Sequence, residues 1–299
     1  MHSKIIKDSL NAHNKRRLTT FVVEFPRFIN AEFLRHRALS FSSASSRAIP
    51  AKKVIQNIQD NTAIPVYWGK NQKGMQAKEQ LQGSERKAAI DAWLDARDSA
   101  IEHCKRLIDL GVHKQIANRV LEPFQNIKLI VSGTEWENFF ALRAHPDAQP
   151  EFQELAYRML NQYNNSKPER IEPVKYATCS MYKAWNMSND DTRKEMAQHA
   201  HIPFGDKMEY ITADDKLRVA SSRCARISYN TFDGDMNIEK DLELFERLMS
   251  GNPKHASPTE HIAFAIEEDA NIGNFQGWYQ FRKMFTRETS KDERVIKHD

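Results

Sequence analysis

Arginine, serine and histidine side chains are concentrated in a short segment that could bind an anion. The run Arg35-His36-Arg37 is followed by a serine-rich segment at residues 40–47, predicted as a turn, which contains Ser40, Ser45, Ser46 and Arg47. Guanidinium groups bind phosphate through parallel N–H donors, and a serine-rich turn adds hydroxyl and backbone donors. Because helical neighbours two residues apart diverge, Arg35 and Arg37 are predicted to contact two ligands or two parts of one extended ligand. A solvated basic surface is the alternative interpretation.

A second polar segment, residues 255–261, has the sequence His-Ala-Ser-Pro-Thr-Glu-His. Two imidazoles, a carboxylate and two hydroxyls this close together suit a ring-shaped ligand with several donors and acceptors. The spacing of the histidines matches no standard zinc site, and the three cysteines are far apart, so neither a metal site nor a disulfide framework is predicted. The alternative is a capped turn with Ser257 as N-cap and Glu260 in the capping-box position.

The elements that must position these residues can be predicted from periodicity. Residues 20–25 alternate as in a strand, and residues 220–229 present small side chains that permit close packing of a helix or a flat cofactor. The helices predicted for the first half span residues 30–39, 85–110 and 113–121, with others beginning at Thr134, which places Arg143 near its end, and at Pro150.

A polar stretch at residues 166–175 marks a weak boundary, and residues 186–200 are predicted to form a surface insertion. The half at 1–165 carries the Arg35–Arg37 motif and the long helices, and the half at 166–299 carries the other motifs. We expect one intertwined domain. In the second half the predicted elements are helices at 214–229, 238–250 and 274–285 and a strand at 262–267. The predicted fold class is α+β, a small and mostly antiparallel sheet with several long helices.

Composition excludes several classes of protein. Of 299 residues, 40% are hydrophobic and 28% are charged, which argues against a disordered chain. There is no apolar run near the roughly 18 residues of a membrane span, and the first residues lack a signal-peptide core, so a cytoplasmic protein without a membrane partner is expected. A net charge of +4 fits a phosphorylated small molecule and does not favour a nucleic-acid partner.

Together, the motifs resemble those of the flavin-dependent thymidylate synthases. The Arg35–Arg37 motif with Ser45 and Arg47 is similar to the signature of that family, and residues 225–229 and 255–261 resemble two further motifs. A fourth similarity runs from residues 110–117 to 138–143. The order differs, because the family has the last two motifs before the first one, whereas here they follow it. We interpret this order as a circular permutation, which is tolerated when chain termini lie close together.

The resemblance implies an activity and a set of partners. It implies a methyltransferase that moves one carbon from methylenetetrahydrofolate to C5 of dUMP, with FADH2 as reductant and NADPH regenerating it, in a homotetramer that shares its sites. One alternative is flavin- and folate-dependent hydroxymethylation or methylation of dUMP or dCMP. A second alternative is an inactive protein that binds nucleotide or single-stranded nucleic acid through Arg35, Arg37 and Arg47.

The resemblance also implies a role for each matching residue. Arg35, Arg143 and His255 are the implied catalytic residues, with cationic arginines polarising the pyrimidine toward attack at its ring. The implied substrate-binding residues are Glu32, Arg35, Ser45, Ser46, Arg47, Arg119 and Arg143. The implied residues of the flavin site are His36, Arg37, Asn138, Ser228, His255, Ser257 and Glu260.

Overall fold

The strand predicted at residues 20–25 is part of a long hairpin at the centre of a five-stranded sheet. In the computed structural model, β1 (His2–Asn11) pairs with β2 (Arg17–Pro26), and β2 pairs with β4 (Asn126–Gly133). The edge strands are β3 (Ser40–Ser43) on β4 and β5 (Glu169–Ile171) on β1, giving the order β3-β4-β2-β1-β5. Only the β1–β5 pair is parallel among these. The predicted α+β class with a mostly antiparallel sheet is confirmed.

The structure describes residues 1–45, 47–205, 208, 211–229, 237–251 and 254–285, without the side chains of Ser228 and Tyr229. Its α-helices are α1 (Asn30–Phe33), α2 (Ala51–Asp60), α3 (Gly83–Asp109), α4 (Lys114–Ala117), α5 (Glu137–Arg143), α6 (Pro150–Asn165), α7 (Met181–Met187), α8 (Asp190–Gln198), α9 (Ala213–Tyr229) and α10 (Ile238–Ser250). The remaining strands are β6 (Ala200–His201), β7 (Ala263–Ala265), β8 (Asn271–Ile272), β9 (Phe275–Gln276) and β10 (Trp278–Gln280). They form a three-stranded sheet in the order β10-β7-β6 and the hairpin β8–β9.

The two faces of the central sheet pack against different helices. Alternate residues of β2, among them Phe21, Val23 and Phe25, are fully buried in a core shared with α5 and α6. On the opposite face, Ile130 of β4 packs with Cys224 and Ile227 of α9. The period-two alternation of the strands and the amphipathic helices therefore agree on one arrangement, with the sheet between the two helical layers.

Several predicted elements are confirmed and others are wrong. The predicted helices at 85–110, 214–229 and 238–250, and the one beginning at Pro150, correspond to α3, α9, α10 and α6. The helix predicted at 30–39 ends at Phe33 instead. The insertion predicted at 186–200 contains α8, whose Met196 is 1% exposed, because this amphipathic segment packs into the core of the second half.

The helix predicted at 274–285 is also wrong. Those residues form β9, β10 and the 3₁₀ helix Phe281–Met284. Gly273 and Gly277 have φ values of +84° and +73°, a left-handed conformation that reverses the chain and that other residues adopt at a cost.

A chain of buried hydroxyl and imidazole groups crosses the sheet and joins the two halves of the sequence. It runs Ser9, His201, Thr20, Ser132, His261, Ser42, with successive polar atoms 2.9, 2.8, 2.6, 2.9 and 3.0 Å apart. Both imidazoles are 0% exposed. We call this set the buried hydroxyl–imidazole chain. It satisfies polar groups that would otherwise destabilise the interior.

Among the residues that the structure describes, no helix combines the length and the apolar character that a membrane span requires.

Burial makes the two histidines of this chain sensitive to acid. It lowers the pKa of His261 from 6.5 to about 3 and lowers the pKa of His201 well below its ordinary value. The unfolded state therefore binds more protons below about pH 6.5. We expect the free energy of unfolding to be maximal above that pH and to fall on acidification by about 1.4 kcal/mol per pH unit for each histidine.

Denaturant unfolding between pH 7 and pH 4 measures this slope. In His261→Gln the slope should be shallower, although the variant is less stable at pH 7 by about 1–3 kcal/mol because hydrogen bonds to Ser132 and Ser42 are disturbed. The exposed His103 on α3 supplies the control, His103→Gln, which should keep the wild-type slope. If the slope is the same in the wild type and both variants, His261 is not a source of the acid sensitivity.

Candidate functional site

The Arg35–Arg37 motif lies in a tight turn between α1 and β3. Backbone N–H groups of Arg35 and His36 donate to the carbonyls of Glu32 and Phe33, and Leu39 donates to His36. Phe33 and Leu39 are buried at the two ends of this turn. Arg35 and Arg37 are exposed, and His36 is half-buried. The turn replaces the predicted helix because the chain must bury both apolar residues and enter the sheet at Ser40.

Arg143, the last residue of α5, joins this turn. Its Nε donates to His36 Nε2 at 3.0 Å, and its Nη1 donates to Glu32 Oε2 at 3.0 Å. The guanidinium also lies 4.7 Å from the ring centroid of Phe152 on α6. Glu32 and His36, four residues apart, are therefore both in direct contact with Arg143, which lies more than 100 residues further along the chain.

His36 is neutral at physiological pH. Burial, together with the adjacent charge of Arg143, lowers the pKa of His36 from 6.5 to about 4. Because Nε2 accepts the hydrogen bond from Arg143, the ring proton is assigned to Nδ1. A neutral imidazole fixes the direction of the Arg143 guanidinium without competing with it for an anion.

A large cavity opens beside Arg143. Its volume is about 1230 Å³, and both Glu32 and Arg143 line it. Aromatic side chains contribute to its walls, among them Phe28, Tyr67 and Trp93. We call it the Arg143 cavity. The lining also includes the carboxylates of Asp147 and Glu151, of which Glu151 accepts from the N–H of Val66. A cavity with aromatic walls and a carboxylate–guanidinium pair can hold a planar ring and orient it by hydrogen bonds.

The serine-rich segment after the motif is partly a strand, not the open turn that we predicted. Ser40 and Ser42 are buried in β3, where Ser42 contacts His261 and Ser40 accepts hydrogen bonds from Asn274 and Gln280. Their hydroxyls therefore stabilise the fold and are not directed at an anion. The loop that follows has Ser45 half-buried and Arg47 exposed, and Ser46 lies outside the described residues.

The motif of residues 255–261 forms the 3₁₀ helix Ser257–His261 and meets β3. His261 points inward into the buried hydroxyl–imidazole chain, whereas His255 and Ser257 are exposed. Glu260 pairs with Arg282. The fold thus places this motif next to the strand that follows the Arg35–Arg37 motif, although the two are more than 200 residues apart in the chain.

The remaining predicted site residues lie on other elements. Asn138 is exposed on α5, and Arg119 is exposed and pairs with Glu122 at 2.8 Å. Ser228 is on α9, and its side chain lies outside the described part. The direct contacts of the candidate site are therefore those of Arg143 with Glu32 and His36.

Sequence reasoning missed the aromatic walls of the Arg143 cavity and the partner of Glu260. Tyr67 and Trp93 lie in a loop and a helix that no motif singled out, and Arg282 falls in the segment predicted as a helix. The alternation of Ser40 and Ser42 around Phe41 was a signal for a buried strand edge. No periodic signal identified His201, because its partners Ser9 and Thr20 lie more than 180 residues away.

Comparison with known families settles the membership of the chain. Residues 15–169 match the sequence profile of the family described as thymidylate synthase complementing protein. The chain belongs to this family. The matched residues include the Arg35–Arg37 motif and Arg143, whereas residues 225–229 and 255–261 lie beyond the match.

Individual relatives are similar at modest identity. The flavin-dependent thymidylate synthase of Aquifex aeolicus is 28% identical over 152 residues, which cover 50% of this chain and 46% of the relative. That of Pyrococcus abyssi is 25% identical over 186 residues, covering 57% and 68%. The probable flavin-dependent thymidylate synthase of Mycobacterium phage D29 is 27% identical over 165 residues, covering 52% and 63%. The chain therefore spans less than half the length of the first of these relatives.

A solved structure is similar over a comparable part. It is a UMP/dUMP methylase, PolB from Streptomyces cacaoi, bound with 5-Br UMP, with a TM-score of 0.45 and 18% sequence identity, covering 54% of this chain and 88% of that one.

Replacing Arg143 should change the titration of His36. In Arg143→Gln the positive charge beside the imidazole is removed, so we expect the pKa of His36 to rise from about 4 toward its ordinary value. NMR titration of the imidazole resonances measures this. Arg158→Gln, an exposed arginine of α6 that pairs with Glu154, is the matched control and should leave His36 unchanged. An unchanged pKa of His36 in Arg143→Gln would contradict the effect of the Arg143 charge and leave burial as the cause of the lowered pKa.

Proposed function

We propose that this protein transfers a one-carbon unit from methylenetetrahydrofolate to C5 of dUMP, with a flavin as the reductant. The observation that carries the proposal is the contact of Arg143 with Glu32 and His36 at the mouth of an aromatic cavity, 3.0 Å in each case. These residues lie within the segment that matches the family. The names of the relatives support the choice of reaction.

Arg143 would act on the pyrimidine ring. Its guanidinium is held at Nε and Nη1, so its orientation is fixed before a ligand enters. A cation directed at a pyrimidine carbonyl withdraws electron density from the ring and stabilises the negative charge that develops during attack. Glu32 would orient the same ring by accepting a hydrogen bond. Arg35, Ser45, Ser46, Arg47 and Arg119 remain the proposed contacts to the rest of the nucleotide.

The Arg143 cavity is large enough for a flavin, and positive charge for its phosphates comes from the adjacent turn, because the lining itself carries the carboxylates of Glu32, Asp147 and Glu151 beside Arg143. Arg35 and Arg37 present two guanidinium groups for phosphate, and the Arg143 cavity of about 1230 Å³ exceeds the size of a mononucleotide site. The flavin supplies hydride when bound. His36, Arg37, Asn138, Ser228, His255, Ser257 and Glu260 are the side chains proposed to hold it as FAD, with NADPH as the proposed source of electrons.

The exposure of the Arg35–Arg37 motif supports a site that is shared between two copies of the protein. Arg35, Arg37 and Asn138 are exposed on a single chain, beside the exposed apolar residues Leu34 and Leu142, which are 42% and 54% exposed. Apolar side chains that surround charged binding groups are suited to contact with another protein surface. We therefore propose a homo-oligomer, a tetramer, in which a second copy covers these residues.

The absorption spectrum of the purified protein tests the proposal. We expect flavin bands between about 300 and 550 nm, or their appearance on adding FAD, and a change in those bands when dUMP is added. Arg143→Ala should weaken the dUMP response about 10- to 100-fold, as expected for loss of a charged hydrogen bond, while Arg158→Ala keeps it. If no condition gives flavin uptake, an inactive nucleotide-binding protein becomes the better explanation.

The carboxylate of Glu32 favours a second candidate substrate, dCMP. A carboxylate accepts a hydrogen bond from the 4-amino group of cytosine, and uracil has a carbonyl at that position. In Glu32→Gln, an amide that donates as well as accepts replaces the carboxylate. If dCMP is the substrate, the Glu32→Gln variant should lose affinity for dCMP relative to dUMP by about 10-fold or more.

Titration of the flavin bands with each nucleotide measures that ratio, and the mass of the product separates methyl from hydroxymethyl transfer. Glu137→Gln changes an exposed carboxylate of α5 and serves as the control. A ratio that is the same in wild type, Glu32→Gln and Glu137→Gln would remove the case for dCMP.

A further inference from the structure

A basic groove lies between α9, α10 and the loop that follows β3. Its volume is about 700 Å³, and its walls include Ala48, Arg226, Lys240, Glu243 and Arg247. Leu244 and Leu248 form its apolar base and are 6% and 8% exposed. We call it the α10 groove. Lys240 and Arg247 were not among the residues to which the sequence motifs assigned a role.

The cations of the α10 groove are placed by the fold. Lys240 and Arg247 are seven residues apart, or about two helical turns, so they lie on one face of α10. Arg226 reaches the groove from α9, where its Nε donates to Asp241 Oδ1 at 2.6 Å. Asp241 is 0% exposed and also accepts from Arg223 at 3.0 Å. The buried carboxylate thus fixes Arg226 at the wall of the groove.

The loop carrying Ser45 and Arg47 is fixed against the same groove. The N–H of Ala48 donates to the carbonyl of Ser45 at 3.0 Å, and its own carbonyl accepts from Lys114 Nζ at 3.0 Å. Asn118 donates to the next carbonyl, that of Ile49, at 3.0 Å. Arg47 is exposed one residue before Ala48. The anion-binding loop predicted from the sequence therefore continues into a basic surface of the second half.

The charge of the groove favours a phosphate. Its lining carries three cations against one carboxylate, that of Glu243. A neighbouring acid of α10, Glu246, is engaged by Arg218 at 2.9 Å, and Glu239, the other exposed acid of this helix, precedes Lys240. Phosphate oxygens accept hydrogen bonds from guanidinium and ammonium groups, and this groove presents both.

We propose that the α10 groove binds a phosphate group of the nucleotide ligand through Arg226, Lys240 and Arg247, extending the contacts of the Ser45–Arg47 loop. This site is additional to the Arg143 cavity. The identity of the ligand rests on the proposed function, whereas the affinity for phosphate rests on the groove itself. The phosphate belongs either to the dinucleotide cofactor or to the mononucleotide substrate.

Isothermal titration of the full chain with FAD, dUMP and sodium pyrophosphate tests this proposal. Arg247→Glu and Lys240→Glu should each weaken binding of the phosphate-bearing ligand about 10- to 100-fold. Glu243→Gln, which removes the one carboxylate of the lining, should tighten it about two- to fivefold, a gain that a folding defect does not produce.

Arg86→Glu is the matched control. Arg86 is exposed near the start of α3, about 30 Å along the helix from the end that meets α4. It should bind all three probes as the wild type does, and circular dichroism confirms that each variant is folded.

The pattern of losses distinguishes the two sources of the phosphate. Weaker FAD binding with unchanged dUMP binding assigns the groove to the dinucleotide, and the reverse assigns it to the substrate. Pyrophosphate binding that depends on Arg247, in a protein that takes up no flavin, would support the groove while contradicting the proposed function. Affinities that are unchanged in all three α10 variants, or a wild type that binds none of the probes, would overturn the proposal.

Discussion

The fold depends on the buried hydroxyl–imidazole chain, because it joins four strands of the central sheet to His201 and His261 of the second half through buried polar groups. Further hydrogen bonds, such as those from Asn274 and Gln280 to Ser40, reinforce the same junction. Each imidazole has hydroxyl partners at both ring nitrogens, between 2.8 and 3.0 Å away. A buried polar group that loses its partner costs about 1–3 kcal/mol, so a shifted register of the sheet would leave several such groups unpaired. The apolar core contributes more free energy, but it is less specific about position. The buried hydroxyl–imidazole chain therefore fixes the position of β3, β4 and β2 relative to His201 and His261 of the second half.

The position of β3 in turn determines where the candidate site lies. Ser42 is bonded to His261, and the turn with Arg35 and Arg37 precedes this strand by a few residues. At the other end of the turn, Phe33 stacks on Phe139 of α5 with centroids 5.2 Å apart. The turn is thus held at both ends, and α5 brings Arg143 to it. The Arg35–Arg37 motif is thus connected to His261 through Ser42 and β3.

Elements that depend on local sequence were predicted, whereas contacts between distant residues were not. The strand β2 and the helices α3, α6, α9 and α10 have a regular apolar period, which local sequence displays directly. The turn after Phe33 depends on a distant partner, Phe139, and there the local pattern predicted a helix. The strands β9 and β10 pair with the neighbouring strands β8 and β7, and the local pattern missed them because the left-handed glycines Gly273 and Gly277 reverse the chain inside the segment predicted as one helix or directly before it. Similarly, the hydroxyls of Ser40 and Ser42 suggested an anion site because their buried partners are more than 200 residues away.

In the candidate site itself, residue types were predictable but their pairing was not. Arg143 contacts Glu32, Arg226 contacts Asp241, and Arg282 contacts Glu260. In each case a carboxylate holds a guanidinium in place before any ligand binds, which reduces the conformational entropy lost on binding but requires the ligand to compete with the existing pair. Glu32 and Glu260 are half-buried, whereas Asp241 is fully buried. A ligand can therefore compete with Glu32 or Glu260 for its arginine, while Arg226 keeps its partner and contributes to binding through its remaining N–H groups.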